Sequence, residues 1–157
     1  NSFATTTISL VSNLIGADRS NFIMKICSRI IFLNYVIGSL FILLSFVFSE
    51  NLLGLFTNDE GVVEKAYYPF CIMLSTFIIS VPAYIYCNAV IGTGNTRAAF
   101  AFQMINIVIY LSYLYFLHQS ANIPLAIYWT AEQLYVSTLL TLSLFYLKKG
   151  KWKNQRL

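Results

Sequence analysis

One acidic residue stands in a place where it could do chemistry. Glu132, in the stretch YWTAEQLY, is the only carboxylate well inside an apolar run. Tyr128, Trp129 and Tyr135 lie at i−4, i−3 and i+3 from it, on one helical face. A carboxylate walled by aromatic rings attracts organic cations by charge and by cation–π contact. A carboxyl group that passes between charged and neutral forms also suits a proton carrier. A purely structural role stands beside these: Glu132 joins two helices by hydrogen-bonding to Gln103 or Asn106 of the preceding run. The apolar runs offer no Lys or Arg at depth to neutralise it, which favours function. Gln103, Asn106, Tyr110 and Tyr113 follow steps of three, four and three, so they form one polar stripe. That stripe is either a hydrogen-bonded seam between helices or a substrate-facing surface.

Nothing else carries reaction chemistry. There is no HExxH, no paired cysteine ligands and no Ser/His/Asp set with usable spacing, so neither an enzyme, a metal site nor a cofactor is expected. The turn Gly92-Thr93-Gly94-Asn95 follows a helix instead of a strand and lacks the lysine of a phosphate-binding loop. His118 reads as a solvated side chain. Cys71 and Cys87 on one helix would lie ~24 Å apart along its axis, beyond disulfide reach.

The elements that must position Glu132 are membrane helices. Hydrophobic residues make up 58% of the chain and charged residues 10%, against about 25% charge in a soluble domain. Mean hydropathy is +0.69. The net charge of +4 does not point to nucleic acid, because the basic residues sit at the ends of apolar runs, where anionic lipid headgroups are the better partner. Five spans are expected, at about 1–15, 30–48, 66–91, 98–117 and 125–147, with a basic tail over 148–157. The central one, from Ala66 to Ile91, has no charged residue and would be roughly 39 Å of helix. Pro82 inside it removes a backbone hydrogen bond, a loss tolerated where neighbours satisfy the freed carbonyl. Thr57 and Glu60 fit a capping box ahead of that span. Small polar residues on one face of the first span suit a helix–helix contact or a cavity wall. Trp152 among lysines reads as an interfacial anchor. The chain starts with Asn1 inside an apolar run, which is expected of a fragment that lacks N-terminal helices.

Charge sets the orientation. Arg19, Lys25, Arg29, Arg97, Lys148, Lys149, Lys151, Lys153 and Arg156 fall on one set of span ends, and Lys65 alone falls on the other. The positive-inside rule places the first set, with the C-terminus, in the cytoplasm.

Several ordered stretches resemble a known family. ISLVSNLIGADRSN, LLGLFTNDEGVVEKA, AVIGTGNTRAAF, YWTAEQLY and LFYLKKGKWKN together look like the C-terminal part of the multidrug and toxic compound extrusion (MATE) transporters, most like the bacterial branch. The resemblance implies an all-α, polytopic transmembrane helix bundle. These segments would be helices eight to twelve of a twelve-helix transporter, within its C-terminal six-helix lobe. It implies residence in a bacterial inner membrane, missing N-terminal helices as partners, and export of cationic or amphipathic compounds by antiport with sodium ions or protons. Pro82, Gly92 and Gly94 become candidates for gating or hinge motion. One departure is plain: the acidic coupling residue of some members aligns near Ser80, and the central span has no acid. Glu132 is the substitute within this chain; the missing bundle is the other place for coupling. A lipid-linked saccharide flippase of the same superfamily and a small accessory membrane subunit are the alternative functions.

Overall fold

The computed structural model describes residues 2–55, 60–119 and 123–149, and among these every regular element is helical. Helix α1 spans Ser2–Gly16. A 3-10 turn at Ser20–Phe22 leads into α2, Ile23–Val47, and then a short α3, Ser49–Gly54. The long α4 runs Glu60–Gly92 and α5 runs Thr96–Gln119. The last apolar run is divided into α6, Leu125–Tyr128, and α7, Thr130–Lys149. The Thr57 half of the expected capping box, the turn at 120–122 and the Trp152 anchor lie outside the described residues.

The chain is an all-α polytopic membrane bundle. The helices Ser20–Val47, Gly61–Gly92 and Thr96–Gln119 are each long and apolar enough to cross a bilayer. Their outer faces are apolar as well: Phe32, Phe41, Phe100 and Phe116 are all exposed. Side chains of that kind belong against lipid. The helices extend past the charge-free runs, since α2 starts seven residues before Ile30 and α4 six before Ala66. Charged residues near a membrane surface do not stop a helix. They stop only its hydrophobic part.

Helix α4 is the centre. It packs against α1, α2, α3, α5, α6 and, most extensively, α7. Val11, Ile23, Cys27, Ile85, Ala89 and Val90 form the core where α1, α2 and α4 meet. Ala83, Cys87, Val136 and Leu139 form a second core between α4 and α7.

α4 remains helical through both Pro69 and Pro82. Pro82 has no N–H to give the carbonyl of Ile78, four residues earlier. The Tyr35 hydroxyl of α2 donates to that same carbonyl. The neighbour that a proline in a membrane helix requires is therefore Tyr35. A double-mutant cycle in the full-length protein tests this. Tyr35→Phe alone should cost about 0.5–1.5 kcal/mol of thermal stability. In a Pro82→Ala background the same change should cost little, because the alanine N–H then satisfies the Ile78 carbonyl. Equal costs in both backgrounds would show that the tyrosine does not serve the proline.

Candidate functional site

The site is built where the last apolar run breaks. At Trp129 the backbone tightens: the Trp129 N–H donates to Ala126 O at 3.2 Å and the Glu132 N–H to Trp129 O at 3.3 Å. Thr130 Oγ1 also donates to Ile127 O at 2.6 Å. These three-residue steps replace the four-residue ladder, so α7 starts afresh at Thr130. The long uninterrupted span expected here is thus two helices. Glu132 occupies the first turn of α7, where a negative side chain meets the positive end of the helix dipole.

Two cavities meet at this residue. The first, of about 220 Å³, is lined by Tyr110 and Leu114 of α5 with Tyr128, Trp129 and Glu132. The second, of about 260 Å³, is lined by Met73, Thr76, Phe77, Ser80 and Tyr84 of α4, again with Trp129 and Glu132. Trp129 and Glu132 are common to both. Neither lining contains a Lys or Arg. Among the described residues no side chain forms an ion pair with Glu132 or donates a hydrogen bond to its carboxylate.

The remaining sequence candidates sit elsewhere. Tyr135 donates through its hydroxyl to Gln103 Oε1, and Gln103 Nε2 lies 3.9 Å from Cys87 Sγ. Asn106, fully buried, donates through Nδ2 to the Tyr135 carbonyl at 3.1 Å. These residues form a seam that ties α5 to α7 and α4. The polar stripe of α5 is therefore divided. Gln103 and Asn106 face the seam and Tyr110 faces the first cavity. Tyr113 shares a 2.9 Å hydrogen bond with Thr130 at the helix break. The alternative in which Gln103 or Asn106 holds Glu132 is not what the structure contains: their amides are directed to Tyr135 and Cys87 instead. Tyr110 joins seam to cavity by an edge contact with the Tyr135 ring, centroids 6.1 Å apart.

The glycine turn after α4 has a structural reason at both glycines and at Asn95. An added Cβ at Gly92 would come within 2.8 Å of the Ile8 backbone oxygen, so α1 and α4 touch there. Gly94 has φ 82°, the left-handed region that glycine enters freely. Asn95 Oδ1 accepts from the Ala98 N–H at 3.0 Å, which caps α5, while its Nδ2 donates to Tyr146 of α7 at 2.8 Å. Pro82 is flanked in sequence by Ser80 and Tyr84, which both line the second cavity.

Sequence reasoning named Glu132, Tyr128 and Trp129. It did not assign Thr76, Met73 or Phe77, because nothing in the pattern of α4 shows which of its faces meets α7. Comparison with known proteins bears on the chain as a whole. A family model described as MatE matches residues 1–116. No curated protein and no solved structure matches. The matched stretch runs from α1 into α5, so the second cavity's α4 wall lies within it and Glu132 lies outside it.

Proposed function

The chain belongs to the MatE family, and from that premise we propose that it is part of an antiporter exporting cationic or amphipathic small molecules in exchange for sodium ions or protons. One observation carries the reading: Glu132 lines two cavities, among aromatic side chains, with no basic residue in either lining. An uncompensated carboxylate in a bilayer is costly, so a site of this kind is retained for a cation that comes and goes. Tyr110, Tyr128 and Trp129 supply ring faces for an organic cation. Tyr135, Gln103 and Asn106 hold the wall behind that cavity, so their part is positioning. Ser80 lines the second cavity beside Glu132. The same lining thus pairs a carboxylate from α7 with Ser80 of α4, near which the resemblance puts an acid.

The charge distribution supports an orientation with the basic ends and the C-terminus in the cytoplasm, and the resemblance puts that membrane in a bacterium. The segments would be helices eight to twelve, partnered by helices from the rest of the same protein. A saccharide flippase would need cationic residues in the cavity to meet its phosphates, and both linings lack them.

Reconstituted full-length protein tests the proposal. Tetraphenylphosphonium should accumulate in proteoliposomes under an imposed sodium or proton gradient and should stop when the gradient is collapsed. No gradient-driven movement of this or other lipophilic cations, in protein shown to be folded, would count against it.

A further inference from the structure

A groove separate from the cavities at Glu132 lies where α2 meets α4. It has a volume of about 480 Å³ and runs along α2 from Tyr35 to Phe46 and along α4 from Cys71 to Ile78. No charged residue lines it. The protons of its three hydroxyls are already committed within the helices. Ser39 Oγ donates to Val36 O at 3.0 Å, Ser75 Oγ to Ile72 O at 2.7 Å, and the Tyr35 hydroxyl to Ile78 O. A polar ligand would find no hydroxyl proton to accept there. Hydrocarbon requires none.

Position and calibre select the occupant. Phe46 is one residue from the end of α2 at Val47, and Tyr35 is at its midpoint. At ~1.5 Å per residue the groove is therefore ~17 Å long, close to half of the ~30 Å hydrocarbon core. That is the depth of one lipid leaflet, on the side away from Lys25 and Arg29 of α2. The rest of this half of α2 faces lipid. None of the apolar window of that helix is buried, and Leu40, Phe41 and Leu44 are exposed. A further helix 10–12 Å across would need roughly 1300 Å³ over the same length, so it does not fit. A slender acyl chain does.

Phe77 ties this groove to the cavity at Glu132, because it lines both. Its ring reaches from α4 to α2 at Gly38, where an added Cβ would lie 2.1 Å from Phe77 Cζ. α2 thus has no side chain of its own at that point. Tyr35 holds the ring by an edge contact, centroids 6.1 Å apart. The ring, with only backbone opposite it, fills the seam between the two chambers.

We propose that the α2–α4 groove binds one acyl chain of a membrane phospholipid, and that Phe77 is the partition that keeps this chain out of the cavity at Glu132. Without the ring, a hydrocarbon-filled groove would open onto a carboxylate, whose charge is costly against hydrocarbon. The inference holds whatever the cavity at Glu132 carries, so it stands or falls apart from the exporter reading.

Photolabelling is the decisive measurement. Purified full-length protein in a mild detergent is titrated with a phosphatidylglycerol that carries a diazirine in its acyl chain. It is then irradiated and digested for mass spectrometry. Adducts on Leu43, Phe46, Leu74 and Ile78 should saturate as the lipid is raised, whereas those on Phe41 and Leu44 should rise in proportion to it. In Ser39→Phe, whose added ring occupies the groove, the saturable adducts should be lost. In Phe77→Ala the adducts should spread to Ser80 and Tyr84, and Phe77→Leu should confine them again. Each variant is compared with wild type by its size-exclusion profile, which reports folding. Groove labelling that does not saturate, or is absent, overturns the lipid site, and the wild type alone decides this. Saturable adducts retained in folded Ser39→Phe overturn it as well. A folded Phe77→Ala protein with no adduct on Ser80 or Tyr84 overturns the partition.

Discussion

Glu132→Gln in the full-length protein should reduce export of a lipophilic cation by about 30-fold while leaving its abundance in the membrane unchanged. Glutamine keeps the shape and hydrogen-bonding capacity of the side chain and removes only the charge. At a separation of ~4 Å and an effective dielectric of ~20, the attraction between a carboxylate and a bound cation is about 4 kcal/mol. Desolvation of the cation offsets part of this. A net loss of about 2 kcal/mol corresponds to the 30-fold expected. Abundance should hold, because among the described residues Glu132 carries neither an ion pair nor a side-chain hydrogen bond that the fold would miss. Glu132→Asp, one methylene shorter with its charge kept, should fall between. Efflux measured in cells beside quantified protein separates the effects. Wild-type efflux in Glu132→Gln would remove the residue from the mechanism, whereas loss of the protein itself would assign Glu132 to the fold.

The second large effect is on stability. Gly92→Ala should lower the melting midpoint of the full-length protein by a few degrees, and Gly92→Val should lower it further. A Cβ at this position would sit 2.8 Å from the Ile8 carbonyl oxygen and 2.8 Å from Val11 Cβ. The first of these is backbone and cannot rotate away. Val11 is fully buried in the core at the α1 contact. Ser12 Oγ donates to the Gly92 carbonyl at 3.0 Å, so any separation of the helices breaks that bond as well. Overpacking of this kind costs about 1–3 kcal/mol. Alanine's better helix propensity returns at most ~1 kcal/mol. Close approach of backbones through small residues is a main source of helix association in lipid, where the hydrophobic effect offers none. Gly16→Ala is the control, since no atom lies within 4 Å of the Cβ it would add. A Gly92→Ala protein that melts at or above the wild type would show that α1 and α4 are not in contact there.

By itself the sequence established the class and the membrane character of this protein. Apolar runs of membrane-spanning length with charges confined to their ends leave few options, because unpaired backbone groups are not tolerated in lipid and helices satisfy their own. It also located Glu132, since a carboxylate inside such a run is visible without any partner, and it required that some neighbour satisfy the carbonyl freed by Pro82. The tertiary structure supplied the identity of that neighbour, Tyr35, from a helix more than forty residues away. It separated Tyr135, Gln103 and Asn106, which share a seam, from Tyr128 and Trp129, which face open space. It also put Thr76 and Ser80 in the lining of a cavity that Glu132 shares. In an apolar membrane helix hydrophobic residues occur on every side, so periodicity does not reveal which face meets protein and which meets lipid. Only the packing of α4 against α7 decides that, and with it what Glu132 can bind.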